Sequence, residues 1–266
     1  MSWDQFVYFA FVALLLWIAG AVGAWKEKSR TAFLFTAVGL AVFFCYILLM
    51  WVSLERPPLR TMGETRLWYS FFLPLAGLMV YSRWKYKWIL TFSTILAAIF
   101  ICVNLFKPEI HSATLMPALQ SPWFVPHVIV YMFAYAVFGV AALMAIFLLV
   151  KKKSLTPHLS LLTSQLDDLV YVGLAFMTIG MLFGALWAKE AWGHYWSWDP
   201  KETWAAITWF AYLVYLHYRQ IPTHKPKLAL WVLLISFVLL QMCWWGINYL
   251  PSAQGSSVHV YSMPSS

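Results

Sequence analysis

Residues 169–218 read LVYVGLAFMTIGMLFGALWAKEAWGHYWSWDPKETWAAITWFAYLVYLHY, and this stretch decides the fold. An uncharged apolar run, 169–188, is followed by a tryptophan-dense segment and then by a second apolar run, 204–218. Five tryptophans (Trp187, Trp192, Trp196, Trp198, Trp204) and Tyr195 fall within residues 187–204. A helix needs roughly 20 apolar residues to cross the hydrocarbon core. The segment between the two runs therefore reads as a loop at a membrane surface.

Outward from this stretch, six more uncharged runs read as spans, at 6–25, 31–53, 67–82, 88–106, 128–150 and 228–250. The runs at 67–82 and 204–218 are the shortest. The composition agrees: 62% of the 266 residues are hydrophobic and 11% are charged, against about 25% charged in an ordinary soluble domain. The expected fold is an all-α polytopic membrane protein of about eight transmembrane helices, one integral membrane domain over residues 1–266. The first span lacks the basic start of a cleaved signal peptide and reads as retained.

Basic residues set the orientation. Twelve lie in the 1–2, 3–4, 5–6 and 7–8 connections, and six lie in the others, mixed with acids. The excess of Lys and Arg marks the cytoplasmic face. Both termini, the loops 54–66, 107–127 and 189–203, and the tail 251–266 then face the exterior. The loop 151–168 is the longest cytoplasmic one. The net charge of +8 is thereby explained by topology, and no nucleic-acid partner is expected. The cysteines Cys45, Cys102 and Cys243 all sit in apolar runs with no Cys-x-x-Cys pair, which fits small packing residues.

Topology sorts the seven histidines. His127 follows Ser121-Pro-Trp-Phe-Val-Pro126 and opens the fifth span. His259 lies in the exterior tail. With the tryptophan loop, the three share one face. Two imidazoles ligating one iron from opposite sides, with aromatic rings over a flat macrocycle, is a haem arrangement. His217 lies within a span, where an ionisable group is expensive and by default suggests function. His194, in the loop, is ambiguous, and His111, His158 and His224 have an ordinary surface reading. Asp199-Pro200 has the form of a helix start, N-cap then first position. A propionate at that positive helix end, near Lys201, is one possibility. Gly180 and Gly184 form a small-xxx-small pair that reads as close helix packing.

The segment Trp192-Gly-His-Tyr-Trp-Ser-Trp-Asp-Pro-Lys-Glu-Thr-Trp204 resembles the WWD signature of haem-handling proteins. Its continuation to His217 resembles the CcsA/ResC type, the smaller membrane subunit of the System II cytochrome c synthase. The resemblance covers most of residues 60–266. It implies haem b as substrate and bound ligand, with His127 and His259 as exterior axial ligands and His217 as a ligand within the membrane. Trp192, Trp196, Trp198, Asp199 and Trp204 would complete the cofactor-binding set. The implied role is haem delivery for thioether attachment to the Cys-x-x-Cys-His motif of an apocytochrome c, as part of a haem lyase complex. The implied partners are a CcsB/ResB-type membrane protein, apocytochrome c and a thioredoxin-like thiol reductant. The location would be a bacterial cytoplasmic membrane or a thylakoid membrane, with the loop facing periplasm or lumen. The tail reads Ser-Val-His-Val-Tyr where the family has Gly-Leu-His-Ser-Tyr. A haem chaperone of the System I type, a quinone- or lipid-binding transporter and a ligand-free scaffold remain open alternatives.

Overall fold

Every long element in the computed structural model is a helix. The structure describes residues 2–59, 61–111, 121–150 and 157–249, without the side chains of 110, 157–161 and 248. The eight long helices among them are α1 (Phe6–Trp25), α2 (Ser29–Leu54), α3 (Met62–Trp84), α4 (Lys87–Phe106), α5 (Phe124–Val150), α6 (Pro157–Trp192), α7 (Pro200–Gln220) and α8 (Pro226–Trp244). Each contains one of the eight expected apolar runs, except that the last run extends past α8. Six of them, all but α3 and α7, are long and apolar enough to cross a membrane. The chain is a polytopic α-helical membrane protein.

α3 and α7 are long enough but too polar to stand out by hydropathy. α7 carries Lys201, Glu202, His217 and Arg219, and α3 carries Glu64, Arg66 and Arg83. Much of this polarity is satisfied inside the protein. Thr61 and Glu64 form a reciprocal capping box at the start of α3, and Glu64 takes a two-point ion pair from Arg56 at 2.8 and 3.0 Å. Buried polar groups are tolerated when paired in this way.

The chain, read from its sequence as one membrane domain, divides by its contacts into two units. In the first, α1 packs on α2, α2 on α3, α3 on α4, and α4 back on α1. In the second, α5, α6, α7 and α8 close a ring in the same order. Small residues allow the helices of each unit to approach closely. In the first unit Gly23 of α1 lies against Ala32 of α2, and Gly39 against the Trp17 ring.

In the second unit, three glycines of α6 face three rings of α5: Gly184 under His127, Gly180 under Tyr131, and Gly173 under Phe138. As one number rises the other falls by the same step, so this is one antiparallel register. The spacings 4 and 7 keep each set on one helix face. Phe138 in turn stacks on Tyr212 of α7, with centroids 3.7 Å apart.

Three boundaries differ from the sequence expectation. α6 has 36 residues and runs from Pro157, so most of the expected 151–168 loop is helix. Asp167 explains why helix continues past the apolar run: it is held by Arg219 at 2.7 Å and by the Tyr215 hydroxyl at 2.7 Å. At its other end α6 includes Lys189 to Trp192. It stops at Gly193, whose φ of +87° suits a residue without a Cβ. The tryptophan loop thus contracts from 187–204 to the irregular residues 193–199. α5 starts at Phe124, which places His127 inside its first turn. Pro126 is accepted there because first-turn amides lack intrahelical acceptors.

Candidate functional site

The start of α5 and the end of α6 meet at one end of the second unit, tied by Ser121 Oγ donating to Glu190. His127 is the centre of this junction. Its Nδ1 is 2.8 Å from the Gly180 carbonyl of α6. A carbonyl only accepts, so Nδ1 carries the proton and Nε2 carries the lone pair. Trp187 stacks on the ring at 5.7 Å and 30°, and Tyr131 meets it edge-on at 4.8 Å. Gly184 lies under the ring, where a Cβ would come within 2.8 Å of Cε1 and Nδ1.

Around this seat the aromatic side chains continue. Trp187 is buried and contacts Phe124 at 5.2 Å and Trp192 at 4.8 Å. Trp123 stacks on Phe183 at 5.9 Å. Of the expected ring set, the structure therefore links Trp192 to His127 through Trp187. Trp196 and Trp198 form their own edge-to-face pair at 5.7 Å. Trp198 is 68% exposed and adopts φ of +59°. Trp204 is half-buried in the first turns of α7.

Asp199 is the N-cap of α7 with Pro200 at the first position, as the sequence indicates. Its Oδ1 accepts from the Glu202 amide at 2.7 Å. Glu202 Oε2 accepts from the amides of Ser197 at 2.7 Å and Asp199 at 3.3 Å. Two carboxylates of the chain itself therefore occupy the positive end of α7, where the sequence suggested a propionate. Asp199 shapes the loop through this cap. Thr203 Oγ1 reinforces it by donating to the Trp198 carbonyl. On the other side of the loop Lys189 donates to the Gly193 carbonyl at 2.7 Å and sits 5.4 Å from the Tyr195 ring centre. His194 is exposed.

His217 is not part of this junction. It lies in the last turn of α7, exposed, with Nδ1 2.9 Å from the Leu213 carbonyl, which again leaves the lone pair on Nε2. The neighbouring turn is held to Asp167 of α6, 20 residues before Trp187, or roughly 30 Å along the helix. Arg219, the cation beside His217 in sequence, also donates to His224. His259 lies outside the described residues, as do residues 112–120 of the 107–127 loop.

Sequence reasoning missed Trp187 as the residue that joins His127 to the loop, and Tyr131. It read Gly180 and Gly184 only as helix packing. The signal was available: positions 127, 131 and 138 of α5 and 184, 180 and 173 of α6 alternate ring against glycine in one register. Among the described residues no group of three or more His, Cys, Asp or Glu side chains could hold a metal ion.

Residues 62–253 match the family profile described as cytochrome C assembly protein. The chain is 32% identical to cytochrome c biogenesis protein CcsA of Synechococcus sp. (strain CC9605), over 94% of this chain and 93% of that protein. It is 30% identical to the CcsA protein of Marchantia polymorpha over 84% of each chain. Against the CcsA protein of Chlamydomonas reinhardtii it is 38% identical over 61% of this chain and 47% of the other.

Proposed function

This chain belongs to the cytochrome c assembly protein family, and from that premise we propose that it is the haem-binding and haem-delivering subunit of a System II cytochrome c synthase. The observation that carries the proposal is the seat of His127. An imidazole whose Nδ1–H is anchored on a backbone carbonyl carries its lone pair on Nε2, the tautomer in which histidine binds a metal through that atom. Aromatic side chains flank it on the same end of the unit, and the WWD segment begins there.

The residues fit haem. His127 would supply one axial ligand and His259, from the tail, the opposite one. Trp192, Trp196, Trp198 and Trp204 would cover the macrocycle, with Asp199 holding the loop in shape. Lys189 and Lys201 are the cations nearest the loop for propionates. His217, at the far end of α7, would ligate haem within the membrane before it moves outward. Haem supplies the reactive vinyl groups, and the protein contributes position and control of the iron. By the charge asymmetry the WWD segment faces the periplasm or lumen. A CcsB/ResB-type membrane protein, apocytochrome c and a thiol reductant are the partners of this reading.

The test is to purify the chain, with and without a co-expressed CcsB/ResB-type protein, and record the reduced absorption spectrum. A bis-histidine haem spectrum that weakens in His127→Ala and in His259→Ala is expected. No haem in either preparation would overturn the proposal.

A further inference from the structure

We propose that Gly180 and Gly184 of α6 are positioning residues for His127. Together they set the depth of its ring and which of its nitrogens carries the proton. The inference rests on the haem reading only in its last step, that the positioned nitrogen meets iron.

The geometry begins with the direction of helix bonds. The Gly180 carbonyl points along α6 toward residue 184, whose amide it accepts within an α-helix. A Cα–Cβ bond leans the opposite way, toward the helix N-terminus. A side chain on 184 would therefore lean over the Gly180 carbonyl. With glycine at 184, a donor from another helix reaches that oxygen, and His127 Nδ1 does so at 2.8 Å. A Cβ at 184 would lie 2.8 Å from Nδ1 and Cε1 but 3.7 Å from Nε2. It would push on the edge that holds the anchoring hydrogen bond.

Gly180 acts at one remove. A Cβ there would come within 2.6 Å of Tyr131 Cδ2, and Tyr131 is the ring that stands edge-on to His127. Gly173 provides the internal contrast. A Cβ there would come within 2.7 Å of Phe138 Cε1, a similar clash in the same register, two turns from the seat of Tyr131. Helix packing alone gives all three glycines one role. Positioning separates Gly184 from Gly173.

The experiment compares Gly184→Ala, Gly180→Ala and Gly173→Ala in the full chain. Nitrogen-15 NMR of histidine-labelled protein without haem reads the His127 tautomer directly. We expect the Nδ1–H form in the parent and in Gly173→Ala, and its loss in Gly184→Ala. Haem retention should fall about 10- to 100-fold in Gly184→Ala, the usual cost of losing a partner behind a metal ligand. In a His127→Gly background supplied with free imidazole, Gly184→Ala should add no further loss.

An unchanged tautomer in Gly184→Ala would overturn the inference. So would an equal loss of haem in the imidazole-supplied background, because that makes the glycine's role one of packing only. Should Gly184→Ala fail to accumulate, Gly180→Ala decides by the same NMR reading, with a shifted His127 signal expected and an unchanged one overturning the inference. Absence of haem from the parent protein would sink the haem reading while the NMR comparison still decides this one.

Discussion

Two histidines in this molecule are seated on the same parts and end in opposite conditions. In the first unit His111 lies over Gly63, the second residue of α3, and the Asn104 backbone favours its protonated form. In the second unit His127 lies over Gly184 and donates to the Gly180 carbonyl. Each has a tryptophan partner. Trp3 lies flat on His111, with centroids 3.7 Å apart and planes 5° apart. Trp187 meets His127 more loosely, at 5.7 Å and 30°. The His111 Nε2 is buried without a hydrogen-bond partner among the described residues. Closed over by an indole, an imidazole becomes a packing group. Flanked by rings at an angle, it is the side chain that the proposed function assigns to a flat ligand.

The comparison is broken most directly by removing each ring. His127→Ala should lower haem retention by more than about 100-fold, beyond the loss from an outer partner. His111→Ala should leave haem retention unchanged. Equal losses measured by haem titration would mean that the two seats do not differ in function. Glycine substitution sharpens the same contrast. A Cβ at Gly63 would come within 2.6 Å of His111 Cδ2 and 3.2 Å of Trp3. Gly63→Ala should cost about 1–3 kcal/mol by overpacking, read from thermal unfolding in detergent, with no change in the haem spectrum. Gly184→Ala, with a comparable clash at 2.8 Å, should lower haem retention as well as stability.

The eight helices were legible because hydrophobic runs of membrane length are the strongest signal a sequence carries. α3 and α7 remained visible through the alternation of basic residues, although their own hydropathy falls short. The ends of helices were less legible. Backbone hydrogen bonding carries α6 past its apolar run into Lys189-Glu190-Ala191-Trp192, and only the positive φ of Gly193 halts it. Within the site, His127 stood out by its place before a span and by family resemblance. Its neighbours did not, because Trp187, Tyr131 and Gly184 reach it from a second helix or from one turn further along α5. A single strand of sequence shows the spacing of each set, but not that the two sets face each other. The Asp199–Pro200 cap was legible because its chemistry is local, with both partners within three residues.

That cap offers a smaller test. Asp199→Ala removes the oxygen that receives the Glu202 amide and should cost about 1 kcal/mol, the usual effect of losing an N-cap. The loss should appear as a lower unfolding midpoint. Asp199→Asn, which keeps an acceptor, should recover most of it.

The smallest expected effect is a pH dependence of stability that comes from His111. Burial holds the His111 imidazole below its ordinary value, against opposing pulls from the Asn104 carbonyl, Glu109 and Glu64. The ordinary value is about 6.5. Above it His111 is neutral in both the folded and the unfolded chain and contributes no pH dependence. As pH falls through about 6.5 the unfolded chain takes up the proton first, so stability declines until the folded chain also protonates. The wild-type unfolding midpoint should therefore drop between pH 7.5 and pH 5 by more than that of His111→Phe, which keeps a ring for Trp3 to stack on but has nothing to titrate. Parallel curves would mean that acid reaches His111 as readily as solvent does, and the indole over it would then be no seal.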